Sequence, residues 1–186
     1  AEVIVHLLVG AHQAEVGLGN FGRENSVRLH VAEESLYSDA TFELRPYPDA
    51  CFTYYVEVDN RTETVWPGTT LDSWGRKVRF YEQYQDAQAE RFRVLAITTG
   101  GPVRLANMLS CAAALARNPR RSLVYGVTLG GLLASGVPLG TPCFCNHQGQ
   151  AVALLRHTPG LVRAIHLTAP SPLVPFRTCL RPHAQV

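Results

Sequence analysis

The sequence predicts an α/β domain with a mixed central sheet flanked by helices, and three stretches carry the prediction. Residues 37–44 and 52–59 read as two hairpin strands on either side of a proline-rich turn, with successive side chains on opposite faces. Residues 92–98, Phe-Arg-Val-Leu-Ala-Ile-Thr, form a nearly continuous apolar run, as expected of a strand buried on both faces. Behind it, residues 102–117 place Leu105, Met108, Leu109, Ala112 and Leu115 on one helical stripe, and residues 122–127 read as the next strand. A strand, helix, strand succession implies layered α/β architecture, with the hairpin feeding the same sheet.

The remaining elements follow in order. Residues 3–17 put Ile4, Leu7, Leu8 and Ala11 on one helical face, and Gly17, Gly19 and Gly22 are expected to end that helix. Residues 27–31 read as a short strand, with Glu33 and Glu34 in a loop before Asp39. Pro46 and Pro48 mark the hairpin tip, where proline fixes φ and removes a donor, so Asp49 is a turn residue. A helix is expected over residues 69–89, with Trp74, Lys77, Val78 and Tyr81 on its inner face. Gly130 and Gly131 belong to a short turn with no phosphate-loop lysine, so nucleotide binding is weakly supported. A turn at residues 158–160 precedes an apolar stretch at 161–167, after which Pro170, Pro172, Pro175 and Pro182 break regular structure. The expected organisation is one domain over 1–155 and a proline-rich extension over 156–186, lying on the domain or reaching a partner.

Composition bounds the function. A chain of 186 residues, 46% hydrophobic and 17% charged, suits one folded domain with its own core. No run of about eighteen apolar residues is present, so no membrane-spanning helix is expected. The chain starts at Ala1 without a readable signal peptide, which suggests an excised or processed chain and leaves room for an upstream domain or a homo-oligomer. Five cysteines, an odd number, favour reduced thiols in a cytoplasm. The net charge of +2 does not itself call for nucleic acid. Arginines nevertheless cluster at Arg76 and Arg79 and at Arg117, Arg120 and Arg121, as phosphate contacts or as solvated surface.

The residues that carry chemistry sit on the hairpin and the helix after it. Glu57 and Asp59, two apart on one strand, share a face, and Asp39 on the neighbouring strand can join them at one rim. Three converging carboxylates repel one another unless a cation lies between them, and a hard divalent ion such as Mg²⁺ or Mn²⁺ is the usual reason for such a site. Lys77, the only lysine of the chain, points inward from the helix. Its ammonium can position a metal-bound water, or it can simply snorkel at the helix edge.

Acid, hairpin, Glu-x-Asp, Thr62-Glu63, and a helix carrying Arg76, Lys77 and Tyr81 follow one another in an order that resembles the plasmid replication-relaxation proteins. Ser38-Asp39-Ala40 and the run Glu57 to Glu63 match that family's motifs, and the resemblance extends from about residue 6 to 155. It implies a restriction-endonuclease-like core and a DNA-handling role. In such a nuclease Asp39, Glu57 and Asp59 would hold Mg²⁺ or Mn²⁺, and Lys77 would serve hydrolysis of a phosphodiester. The chain departs from the pattern at two points: Asp59 stands where nucleases of this type carry lysine, and Ser38 where the family has proline. These departures leave open a module on a nuclease-derived scaffold that binds DNA or a protein without cutting.

A second metal reading rests on Cys143, Cys145, Cys179 and His183, whose side chains are those of a tetrahedral Zn²⁺ site. The spacings are not the common ones, and two cysteines at i and i+2 can also simply pack.

Overall fold

The computed structural model describes residues 2–47, 49–66 and 73–155. Expectations for the extension at 156–186, with the proposed zinc ligands Cys179 and His183, lie outside the described residues. The architecture is α/β: a mixed seven-stranded sheet with helices on both faces.

The chain begins with α1 (Glu2–Gln13) and β1 (Gly17–Arg23), then a separate hairpin of β2 (Arg28–Val31) and β3 (Glu34–Tyr37). β4 (Ala40–Tyr47) and β5 (Ala50–Asp59) form the predicted antiparallel hairpin. Next come α2 (Trp74–Ala87), β6 (Phe92–Thr98), α3 (Gly101–Leu115), β7 (Val124–Thr128), α4 (Leu129–Ala134), β8 (Phe144–Asn146) and β9 (Ala151–Val152). The sheet order is β1-β4-β5-β6-β7-β8-β9. β5, β6 and β7 run parallel, joined by α2 and α3, and the remaining pairs are antiparallel.

Two apolar layers hold the sheet. On one face α1 presents Val3, Leu7 and Ala11 to Phe42, Leu44, Tyr54, Val56, Leu95 and Ile97. On the other, Trp74, Val78 and Tyr81 of α2 and Met108, Leu109 and Ala112 of α3 cover Tyr55, Val94 and Ala96. β6 divides its side chains between the layers, with Val94 and Ala96 on one side and Leu95 and Ile97 on the other, which is why its sequence is a run and not an alternation. The Trp74 indole N–H donates to the Met108 carbonyl at 2.9 Å and ties α2 to α3.

Several boundaries differ from the sequence reading. The glycines after α1 do not merely end it: Gly17 to Arg23 form the edge strand β1, with a bulge between Gly19 and Gly22 and Asn20 at φ 47°. Strand β3 occupies part of the stretch expected as a loop, and the strand expected over residues 37–44 is interrupted at Ser38-Asp39 before β4 begins. Gly130 and Gly131 lie inside the short helix α4, where Thr128 caps Gly131 N–H at 3.1 Å. α2 starts at Trp74, capped by the Ser73 hydroxyl, which accepts from Arg76 N–H at 3.2 Å.

α3 closes down on β7 over Gly126, where a Cβ would stand 2.7 Å from Leu105 Cδ1 and 3.1 Å from Leu109 Cδ2. Gly126→Ala is expected to cost about 1–3 kcal/mol by overpacking. Urea unfolding measures it, and an unchanged midpoint would show that the Leu105 and Leu109 side chains give way to the added methyl.

Candidate functional site

The candidate site lies where β5 ends. Glu57 and Asp59 point, as alternation requires, to the face covered by α2 and α3, and each meets a cation from one of those helices. Asp39 sits one strand away at the start of β4. Its N–H donates to the Val56 carbonyl at 3.1 Å, and its Oδ2 accepts from Val58 N–H at 2.6 Å. Asp39 is thereby fixed beside Glu57.

Glu57 is 2% exposed. Lys77 Nζ donates to its Oε2 at 2.9 Å and the Tyr81 hydroxyl to its Oε1 at 2.5 Å. Burial pushes the carboxyl up to about 7; Lys77 and Tyr81 act against that shift, and the negative charge of Asp39 adds to it. Lys77 itself is 21% exposed and bridges Glu57 to Glu63, with Nζ also 2.9 Å from Glu63 Oε1. Burial alone would lower its pKa, but the two carboxylates outweigh it and hold the ammonium above its ordinary value.

Asp59 has a different partner. Arg104, in the first turns of α3, grips it with two prongs, Nε to Oδ2 at 2.7 Å and Nη2 to Oδ1 at 2.6 Å. The Thr98 hydroxyl adds a bond to Oδ2 at 2.6 Å, and Arg61 N–H one to Oδ1 at 3.3 Å. Although burial works the other way, these donors hold Asp59 below the usual carboxylate range. Arg104 Nη2 also reaches the Glu63 carbonyl at 2.7 Å, so the loop after β5 is pinned from both helices. Trp74 N–H to Thr64 O at 2.9 Å and Gly75 N–H to Val65 O at 3.0 Å complete that anchoring.

Of the four sequence-predicted site residues, Asp39, Glu57 and Lys77 come together, while Asp59 joins Arg104 and Thr98 a strand further along. The sequence reading placed Glu63 in a motif without assigning it to Lys77, and it missed Arg104 as the partner of Asp59. No local signal links Arg104 to a residue 45 positions earlier. A pocket between the β2–β3 hairpin and α2, lined by Ser35, Leu36, Ser73, Arg76, Lys77 and Phe80 among others, opens beside the cluster.

The arginines differ in environment. Arg76 and Arg79 are exposed on α2, and Arg120 is exposed after α3. Arg117 is exposed but pairs with Asp86 at 2.8 Å. Arg121 is only 16% exposed, held by Glu82 and by Asp86 at 2.8 Å. Of the proposed zinc ligands within the described residues, Cys143 packs against the layer under α1 and Cys145 against the opposite one. Among the described residues, no three His, Cys, Asp or Glu side chains are gathered as a metal-holding group. No helix among the described residues is long and apolar enough to cross a membrane.

Fold and site together define an α/β protein with an acid–lysine cluster at the carboxyl end of a parallel strand. No family model, no curated protein and no solved structure matches the chain.

Proposed function

We propose that this chain is a DNA-handling protein of the plasmid replication-relaxation kind, built on a restriction-endonuclease-like core and acting on phosphodiesters in the cytoplasm. One observation carries the reading: Lys77 Nζ stands 2.9 Å from Glu57 Oε2, and Asp39 is bonded to the backbone of the residue after Glu57. Two acids and an amine thus meet, the amine coming from α2 in place of the strand position occupied by Asp59.

Asp39 and Glu57 are the acids that would hold a hard divalent ion, since Mg²⁺ commonly takes one or two carboxylates and leaves its other positions to water and phosphate, with Lys77 or Tyr81 yielding an oxygen of Glu57 to it. A carboxyl lifted toward neutrality by burial and by a neighbouring acid is one that a cation would return to its ionised form. When bound, Mg²⁺ or Mn²⁺ would supply Lewis-acid activation of water and phosphoryl oxygen. Lys77 would orient the attacking water and offset charge building on the phosphate. Tyr81 holds the Glu57 carboxylate in place, and Arg104 keeps Asp59 ionised at the rim, where it can assist only indirectly. Exposed Arg76, Arg79 and Arg120 would contact DNA phosphates.

Calorimetric titration of the chain with Mg²⁺ and Mn²⁺ is expected to give binding that Glu57→Gln removes, and a plasmid-nicking assay to give cutting that Glu57→Gln abolishes. Absence of ion binding would end the metal-site reading.

A specific observation favours a second reading, a module that binds DNA without cutting. The two-pronged grip of Arg104 takes the third acid away from the pair. On that reading the chain does not nick plasmid with either ion, and Glu57→Gln leaves DNA affinity unchanged.

A further inference from the structure

Helix α1 is apolar on two sides, and among the described residues only one of them is covered. Val3, Leu7, Gly10 and Ala11 face the sheet, while Val5 at 58%, Leu8 at 45% and Val9 at 48% are exposed. With about 100° between successive residues, Glu2, Val5, Val9 and His12 form one outward stripe, and Leu8 flanks it. A helix that is apolar all round is ordinarily buried all round. Beside Leu8 the apolar surface continues into a groove lined by Ile4, Leu18, Phe21 and Phe42, with Phe21 itself 39% exposed.

We infer that this face binds a second copy of the chain, α1 against α1 in antiparallel orientation. The stripe is complementary to itself when reversed. A twofold axis beside Leu7 sets Glu2 of one copy against His12 of the other and Val5 against Val9, each pair occurring twice, as a closed dimer requires. An acid at one end and an imidazole at the other, with valines between, select the antiparallel arrangement over the parallel one, which would set acid against acid.

The magnitude is modest. A helix of 12 residues is about 18 Å long, and two such helices alone fall short of the roughly 1,200 Å² of a stable interface. Leu8 and Phe21 must therefore reach into the partner's groove, and the expected dimer is a reversible one. Because α1 lies on the sheet face opposite to α2, the dimer leaves both Lys77 clusters open. Association through α1 is independent of the chemistry proposed for them.

Sedimentation velocity of the full 186-residue chain over a concentration series is the test. The expected result is a concentration-dependent shift from a 20.4 kDa species toward twice that mass. Val9→Lys, at an exposed position that leaves the monomer fold intact by circular dichroism, should weaken association about tenfold or more. Glu2→Lys and His12→Glu should each weaken it, and the two combined should restore it. A chain that stays monomeric throughout overturns the proposal and assigns the face to residues outside the described ones or to a different protein. A dimer indifferent to Val9→Lys overturns it as well, and failure of the combined swap to restore association overturns the antiparallel register.

Discussion

Lys77→Ala is expected to lower stability by about 3–5 kcal/mol at pH 8 and by much less at pH 5, because it leaves Glu57 buried without its cation. Glu57 has a folded pKa of about 7 against an ordinary 4.5. Between those values the folded state binds more protons than the unfolded one, so this group's contribution to stability falls as pH rises through that window and levels off above it. Lys77 works in the opposite sense. Its folded pKa is raised, so its contribution is complete below its ordinary 10.5 and is lost only as pH climbs through the folded value. Both groups are therefore ionised at pH 8, where removing the ammonium does the most harm. At pH 5 Glu57 is protonated in the fold and needs no cation. Urea unfolding of wild type and Lys77→Ala at the two pH values measures the difference. Equal losses at both would show that Glu57 does not change its ionisation between pH 5 and pH 8, and equally small ones would remove the electrostatic basis of the proposed site. Adding Glu57→Gln to Lys77→Ala should recover much of the loss, since a neutral amide replaces the unpaired charge.

This coupling explains which parts of the molecule are legible in the sequence. The face shared by Glu57 and Asp59 follows from alternation in one strand, and the inward direction of Lys77 follows from helical period, so residue order alone is enough for both. β6 and α3 are equally plain, because burial on two sides or on one stripe leaves a compositional trace. β1 leaves none: its Gly17-Leu18-Gly19-Asn20 pattern has the composition of a turn, and only pairing with β4 makes it a strand. The partner of Asp59 is likewise hidden. Arg104 reaches it only because β6 lies parallel to β5 and brings the start of α3 alongside the end of β5. The shared face of Glu57 and Asp59 thus gives a direction and does not say which cation each acid meets. The arginine clusters are ambiguous for the same reason, since proximity in sequence does not distinguish a guanidinium facing solvent, as at Arg120, from one folded over a buried acid, as at Arg121.

Arg121 is the test of that distinction. Glu82 is buried at 2% exposure, and its Oε2 accepts from Arg121 Nη2 and from the Arg117 backbone N–H at 3.1 Å. Arg121→Ala removes the charge partner and is expected to cost about 3–5 kcal/mol. For a chain of this length that is a fall in Tm of about 6–20 °C, at roughly 2–4 °C per kcal/mol. Glu82→Gln introduced with it should recover part of the loss, as a lost phosphate contact would not. Exposed Arg120 is expected to behave in the opposite way. Its substitution by alanine should leave Tm in place, weaken binding to every duplex alike, and reduce the slope of log affinity against log salt by about 0.9. Fluorescence anisotropy over a salt series, with Arg121→Ala measured well below its Tm, separates the two. If Arg121→Ala reduces the slope as Arg120→Ala does, Arg121 leaves Glu82 to meet DNA, and the internal ion pair is a resting contact that DNA displaces. If neither changes the slope, this cluster is solvated surface around a structural ion pair, and the DNA-facing side of the protein is reduced to Arg76 and Arg79 beside Lys77.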